Sequence, residues 1–188
     1  RVIYLFMAGG PSQIDLFDHK PTLAQFHGKE IPASVKGDQR LTGMTSGQSA
    51  YPVVAPLWPG RRCGEQGTWM SDLLPHMQTI ADEMCMIRSM NTDQFNHAPA
   101  ELLLFTGHAR QGRPSMGSWA TYGLGTDNQD LPGFVTLISS GTQPSGGQGL
   151  WGSGFIPSVY QGVQCRSKGD PVLFVSDPAG MNREMRRK

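Results

Sequence analysis

Residues 88–107 read RSMNTDQFNHAPAELLLFTG. This stretch predicts the end of a short buried strand, then a polar loop, then an apolar helix with Pro99 in its first turn. Proline is tolerated there because the N–H that it lacks would have no partner inside the helix. Asn96 and His97 therefore lie just before the helix N-terminus, where free amides and the helix dipole favour a bound oxyanion. Two interpretations stay open, an anion site or a simple N-cap at Asn96 beside a hydrogen-bonded histidine.

The segments on either side of this stretch alternate between strand and helix patterns. Continuous apolar runs predict strands at residues 2–8, 85–87, 134–138 and 171–176. Helices are predicted within residues 69–84, 98–107 and 115–123, the first on a stripe formed by Met77, Ile80, Ala81 and Met84. Such alternation is typical of an α/β fold with a mostly parallel sheet flanked by helices, and this is the predicted fold class.

A polar loop follows the first predicted strand. Ligand sites of open α/β sheets gather at the carboxyl ends of the strands, and residues 9–18 (GGPSQIDLFD) occupy that end. Gly10 allows a close approach of the backbone to a ligand, and Ser12 and Asp15 are polar candidates for binding. The alternative is that Ser12 and Asp15 serve as turn and helix-cap residues.

Composition excludes several classes of protein. The net charge of +1 over 188 residues gives no broad basic field, so nucleic acid is not an expected partner. Three cysteines without a CxxC pair argue against a disulfide scaffold or a structural zinc site, although a Cys63–Cys165 disulfide stays open. No apolar run approaches the roughly 18 residues of a transmembrane helix, and no signal peptide is visible.

Four motifs carry a resemblance to a known family. They are VIYLFMAGGPSQIDLFD at residues 2–18, RSMNTDQFNHAP at 88–99, GRPSMGSWATYGLG at 112–125 and GSGFIPSVYQG at 152–162. Together they resemble the DUF1501 family, known mainly from planctomycetes and related bacteria, over essentially the whole chain. Members are typically longer and often begin with a twin-arginine export signal. The resemblance therefore implies that residues 1–188 are the N-terminal part of a single domain in an exported, periplasmic protein.

The family is grouped with the alkaline phosphatase/sulfatase superfamily, which implies a fold of that type, incomplete in this chain. The sulfatase signature C-x-P-S-R, followed by an apolar pair and Thr-Gly, can be laid on residues 97–107. Pro99 and Thr106-Gly107 then fall in register. The nucleophile position falls on His97 and the signature arginine on Glu101. Because no Cys or Ser stands at position 97, the standard sulfatase mechanism is not expected.

The resemblance implies a metal-dependent hydrolase of phosphate or sulfate esters, including esters on polysaccharide. In this interpretation His97 is a metal ligand, a nucleophile or a proton donor, and all three roles stay open. Asp15 is the nearest substitute for the aspartate ligand that follows the first strand in the superfamily. The candidates are His97, Asn96 and Thr92 for catalysis, Arg113, Ser12 and Gly10 for anion binding, and Asp15 with His97 for a divalent Zn, Ca or Mn ion.

A second hypothesis is a noncatalytic protein that binds an anion or a glycan on a sulfatase-like scaffold. Trp151, Phe155 and Tyr160 follow one another in a Gly/Ser-rich loop. Such aromatic residues either form a platform for a sugar or a partner, or pack into a small cluster of their own. The expected partner under either hypothesis is a small anionic ester or a sulfated glycan.

Overall fold

The computed structural model describes residues 1–39, 42–139 and 142–166, together with residues 169, 171, 172, 180 and 185. The chain divides into two compact units, one of residues 10–91 and one that combines residues 1–9 with the chain from residue 92 onward. Each has its own cluster of buried side chains. Among the described residues, every helix falls short of the length and apolar character that a bilayer span requires.

The unit of residues 10–91 is built around one antiparallel hairpin. Its elements are α1 (Gln13–Leu16), α2 (Leu23–Phe26), α3 (Ala33–Lys36), β1 (Gly60–Cys63), β2 (Thr68–Ser71), α4 (Pro75–Gln78) and a 3₁₀ turn (Ala81–Glu83). β1 and β2 pair from Gly60 with Ser71 to Cys63 with Thr68. The carboxylate of Asp82 accepts hydrogen bonds from the amides of Glu65 (2.9 Å) and Gln66 (3.3 Å) in the turn between the strands. These two bonds fix the turn.

One face of the hairpin is buried. Neighbouring strand residues point to opposite faces, so Cys63 and Met70 lie on the face that packs against Ala81. Met77 and Met84 pack against the same cluster. Arg62 lies on the opposite face of the hairpin.

The second unit carries the two longest helices among the described residues. Its elements are α5 (His97–Thr106), α6 (Met116–Leu124), β3 (Val135–Leu137), two 3₁₀ turns (Gly147–Leu150 and Ser158–Tyr160) and β4 (Val163–Cys165). β3 and β4 are parallel, with Val135 opposite Val163. The structure thus confirms the helix predicted after His97, although α5 already begins at His97. It also confirms the helix predicted from 115 and the strand predicted within 134–138.

The core of this unit joins α5 to the Gly/Ser-rich loop. Leu102, Leu150 and Trp151 are buried together, and the partly buried side chains around them are Phe105, Phe134 and Ile138. Trp151 therefore packs in the core with α5, whereas the packing interpretation predicted a cluster of the loop's own aromatic residues. Phe155, in contrast, is 63% exposed.

Two predicted elements of the unit of residues 10–91 are wrong. Residues 68–71 form β2 instead of entering a helix over 69–84, and helical structure is confined to α4 and the 3₁₀ turn Ala81–Glu83. The reason is that β2 pairs with β1, a contact that local periodicity does not encode. Residues 85–87 are in no strand, and Cys85 is exposed and not a core residue.

The strand predicted at residues 2–8 is also wrong, since these residues form no β-ladder with any described residue. Tyr4 and Phe6 pack edge-to-face on Phe105, with ring centroids 5.1 and 5.0 Å away. Val2 and Leu5 are about nine-tenths exposed. Of the strand predicted at 171–176, only residues 171 and 172 are described, and neither is in a strand. The mostly parallel α/β sheet stays a prediction, with β3 and β4 as one parallel pair.

Candidate functional site

The start of α5 presents unpaired backbone donors. Asn96 occupies the N-cap position in an extended conformation, with φ −104° and ψ 143°. The first helical hydrogen bond runs from the amide of Ala100 to the carbonyl of Asn96 over 3.1 Å. Pro99 has no N–H. The amides of His97 and Ala98 therefore end without an acceptor among the described residues, as expected in the first turn of a helix.

The side chains at the start of α5 are also accessible to a ligand. Asn96 makes no side-chain capping bond, and both Asn96 and His97 are exposed. The imidazole of His97 has no hydrogen-bond partner in the described part of the chain. The simple N-cap interpretation is therefore wrong for the Asn96 side chain, and His97 is the first residue of the helix instead of a loop residue.

Thr92 is engaged in a local turn. Its hydroxyl oxygen accepts a hydrogen bond from the amide of Gln94 over 3.1 Å. The neighbouring Asp93 accepts one from the Gln94 side chain over 3.0 Å. Short contacts of this kind are typical of side chains that shape a turn. They give Thr92 a structural role, and no described hydrogen bond joins it to His97.

Arg113 lies at the surface before a buried Pro-Ser pair. Ser115 caps α6 by accepting a hydrogen bond from the amide of Ser118, and the Ser118 hydroxyl donates to the carbonyl of Gly152 over 3.0 Å. The serines of the motif at 112–125 are thus structural. Arg113 is exposed and makes no ion pair with any described residue, so its guanidinium is available to an anion.

The first polar loop lies in the unit of residues 10–91. Ser12 is the N-cap of α1 and accepts from the amide of Asp15 over 3.3 Å, so the cap interpretation is confirmed for Ser12. The Asp15 carboxylate accepts from the amide of Leu57 over 3.2 Å. Gly10 has φ +67°, a backbone conformation that glycine adopts readily. Asp15 and His97 belong to different units.

A complete metal site is not assembled by the described residues. Among them, no group of three or more His, Cys, Asp or Glu side chains is placed to hold an ion. One Asp15 oxygen is already used by the Leu57 amide. The three cysteines are free thiols, so the Cys63–Cys165 disulfide is not formed. A divalent Zn, Ca or Mn ion stays a prediction.

The structure also contains a cavity that the sequence analysis did not single out. It measures about 380 Å³ and lies within the unit of residues 10–91. Its lining includes His19, Arg62, Trp69 and Arg88. A sequence signal for part of it exists, since the Gly-bounded segment 64–67 between two short runs is typical of a hairpin that would bring Arg62 and Trp69 together.

Comparison with known proteins gives one positive result, a match to a family model. No curated protein and no solved structure matches the chain. The relation to alkaline phosphatases and sulfatases therefore stays a prediction. The model of the family described as "Protein of unknown function (DUF1501)" matches residues 1–188. The chain belongs to the DUF1501 family, as its four motifs predicted.

Proposed function

We propose that the protein hydrolyses phosphate or sulfate esters, and that the start of α5 holds the oxyanion of the ester. The proposal rests on one observation. The amides of His97 and Ala98 have no acceptor among the described residues, and the imidazole of His97 is exposed. α5 is ten residues long, so its dipole adds to the attraction for a negative charge.

The chemistry needs charge stabilisation and a proton. The two amides would hold oxygens of the ester, where fixed donors stabilise the charge that develops in the transition state. The Asn96 side chain would orient a further ester oxygen. No described hydrogen bond or ion pair joins Arg113 to this end of α5, so its role in anion binding stays a prediction from the sequence. In one route, water attacks the phosphorus or sulfur atom while the protonated His97 imidazole donates its proton to the leaving oxygen. In the other, the neutral imidazole attacks that atom and expels the alcohol, and water then cleaves the bond to His97 and releases phosphate or sulfate. No step here runs through a divalent ion, since the described residues gather no ligand set for one.

Turnover of an aryl phosphate and an aryl sulfate tests the proposal. His97→Ala should lower kcat by about 100-fold or more, the usual contribution of a positioned acid or nucleophile. Asn96→Ala should give a smaller loss. His108→Ala is the matched control, because His108 is an exposed histidine that follows the other end of α5. Unchanged turnover in His97→Ala, with native circular dichroism, would remove His97 from the mechanism.

The two roles of His97 differ in their dependence on the leaving group. A nitrophenolate leaves with little need of a proton, whereas an alkoxide needs one. If His97 is a proton donor, His97→Ala loses much less activity on nitrophenyl esters than on alkyl esters. If it is the nucleophile, the two substrates lose activity equally. Metal analysis of the purified protein, with and without Asp15→Ala, tests the predicted divalent ion separately.

A second candidate function rests on an exposed aromatic cluster next to α6. Trp119 contacts Tyr122 and Phe155 with centroids 5.9 and 5.8 Å apart, and Tyr122 contacts Tyr160 at 5.2 Å. Trp119, Tyr122 and Phe155 are 44–63% exposed. Exposed rings of this kind suit the apolar faces of sugars. This favours a noncatalytic protein that binds a sulfated glycan.

Binding to a sulfated polysaccharide separates the two functions. Under the second function, Trp119→Ala and Phe155→Ala weaken binding, and wild-type protein turns over neither ester. Under the first, His97→Ala abolishes turnover whatever the aromatic variants do. An exported, periplasmic location belongs to both proposals, and fractionation of cells that produce the full-length protein tests it.

A further inference from the structure

The face of the β1–β2 hairpin that is turned away from the core has a defined composition. Arg62 lies directly opposite Trp69 across the two strands, and such paired residues share a face. Gly60, two residues before Arg62, lies on the same face. A Cβ atom at Gly60 would collide with the Trp69 indole. The indole therefore lies across the backbone of Gly60, and the absence of a side chain there sets its position.

A second ring completes this wall. The imidazole of His19 stacks on Trp69 with a centroid distance of 4.7 Å and 16° between the ring planes. Both rings line the cavity of about 380 Å³, together with Pro21 and Gly67. The cavity is thus bounded on one side by a flat, partly apolar surface.

The cavity also carries positive charge. Arg62 and Arg88 both line it, and no described residue of the lining is an Asp or Glu. The Arg62 guanidinium donates one hydrogen bond, from Nη1 to the carbonyl of Gly67 over 3.0 Å, which holds the group at the hairpin turn. Its remaining N–H groups have no acceptor among the described residues.

The neighbouring arginine shows the contrast. Arg61 points to the other face of β1, donates to the Gln78 side chain and lies 3.8 Å from the Asp72 carboxylate. Arg62 and Arg88 have no acidic partner in the described part of the chain. Arg61 therefore has an acidic neighbour among the described residues, whereas Arg62 and Arg88 at the cavity have none.

We propose that this cavity binds a small organic phosphate or sulfate, whose charged group contacts Arg62 and Arg88 and whose ring or chain packs on His19 and Trp69. Planar guanidinium groups match the oxygens of such anions in geometry and charge. The volume is at the lower end of the roughly 300–1,000 Å³ of small-molecule sites, which suits a single ring or sugar. This site is separate from the one proposed at α5 and does not depend on it.

The test follows the indole N–H of Trp69 in ¹⁵N NMR spectra. The chain has four tryptophans, and Trp69→Phe identifies the signal. Phenyl phosphate, phenyl sulfate, inorganic phosphate and phenol are titrated in turn at constant ionic strength. The Trp69 signal should move with phenyl phosphate or phenyl sulfate, and the two titrations show which anion is preferred. Phenol should leave it unchanged, and inorganic phosphate should bind more weakly than its phenyl ester.

Substitutions then assign the charge. Arg62→Gln and Arg88→Gln should each raise Kd about tenfold or more, the loss expected for a hydrogen bond to a charged group. Arg110→Gln is the control, since Arg110 is exposed and does not line the cavity. The titrations are repeated in His97→Ala, which removes any turnover of the phenyl esters and should leave this binding intact. Equal shifts with phenol, or unchanged Kd in both cavity variants with native spectra, would overturn the proposal.

Discussion

The buried carboxylate of Glu101 accepts a hydrogen bond of 2.6 Å from the backbone N–H of Gly146, 45 residues further along the chain. Glu101 is in the second turn of α5 and only 6% exposed. The bond ties the helix to the loop whose 3₁₀ turn supplies Leu150 to the core. Glu101 stands where the sulfatase signature would place an arginine, and in this chain it holds the fold together.

Removal of this carboxylate should destabilise the protein. Glu101→Ala leaves the buried Gly146 amide without an acceptor, at a cost of about 1–3 kcal/mol. Glu101→Gln retains an acceptor oxygen and should lose clearly less. The midpoint of urea unfolding measures both, and Glu65→Ala, at an exposed glutamate, serves as the control. Equal midpoints for Glu101→Ala and wild type would show that the bond contributes nothing.

The paired serines of α6 give a second prediction. Ser115→Ala removes the helix cap and should cost about 0.5–2 kcal/mol. Ser118→Ala removes the hydroxyl that donates to Gly152 and contacts the Ser115 hydroxyl at 3.0 Å, with a loss of about 1 kcal/mol. Because the two side chains share these contacts, the double variant should lose less than the sum of the single losses. Strict additivity in urea unfolding would contradict the shared network.

The features that could be predicted from sequence are local ones. Serine before a helix and glycine after one are typical cap residues, and the structure places Ser115 and Gly107 at these positions. The apolar stripe before residue 85 correctly marked Ala81 as core, with Met77 and Met84 packed against it, but it was wrong for Ile80, which is 45% exposed. The periodicity of residues 69–84 does not predict β2, because its partner strand lies across a turn; the Gly-bounded segment 64–67 is a signal for that pairing.

The candidate sites also differ in how much of each could be predicted from sequence. Asn96 and His97 are adjacent in sequence, so their place at the start of α5 followed from the helix signal alone. The cavity draws His19, Arg62, Trp69 and Arg88 from separate segments. Their proximity depends on strand register and on a ring stack, which only tertiary structure reveals. Ser12 and Thr92 were singled out for chemistry, yet each closes a short hydrogen-bonded turn.

Alkaline pH should weaken the protein through Tyr4. Burial raises the pKa of the Tyr4 phenol above its ordinary value of 10.0, because its ionised form is poorly solvated beside Phe105. The unfolded chain then loses the proton first. The stability that the protonated Tyr4 phenol gives the folded state is fully present below the ordinary pKa of tyrosine and is lost as pH rises through the raised pKa. The free energy of unfolding measured in urea should therefore fall more steeply above about pH 10 for wild type than for Tyr4→Phe. Parallel pH profiles would contradict the shift.

Two glycines of α6 should respond in opposite directions to the same substitution. A Cβ at Gly117 would overlap the Phe134 ring, whereas a Cβ at Gly123 would meet nothing within 4 Å. Gly123→Ala should stabilise the protein by about 0.5–1 kcal/mol, because alanine loses less backbone entropy in a helix. Gly117→Ala gains the same helix propensity, yet it must displace a ring of the core, and such overpacking costs about 1–3 kcal/mol. The difference between the two unfolding midpoints isolates the packing of α6 on Phe134 from helix propensity. If Gly117→Ala stabilised the protein as much as Gly123→Ala, the ring would have room to move and that contact would not restrain α6.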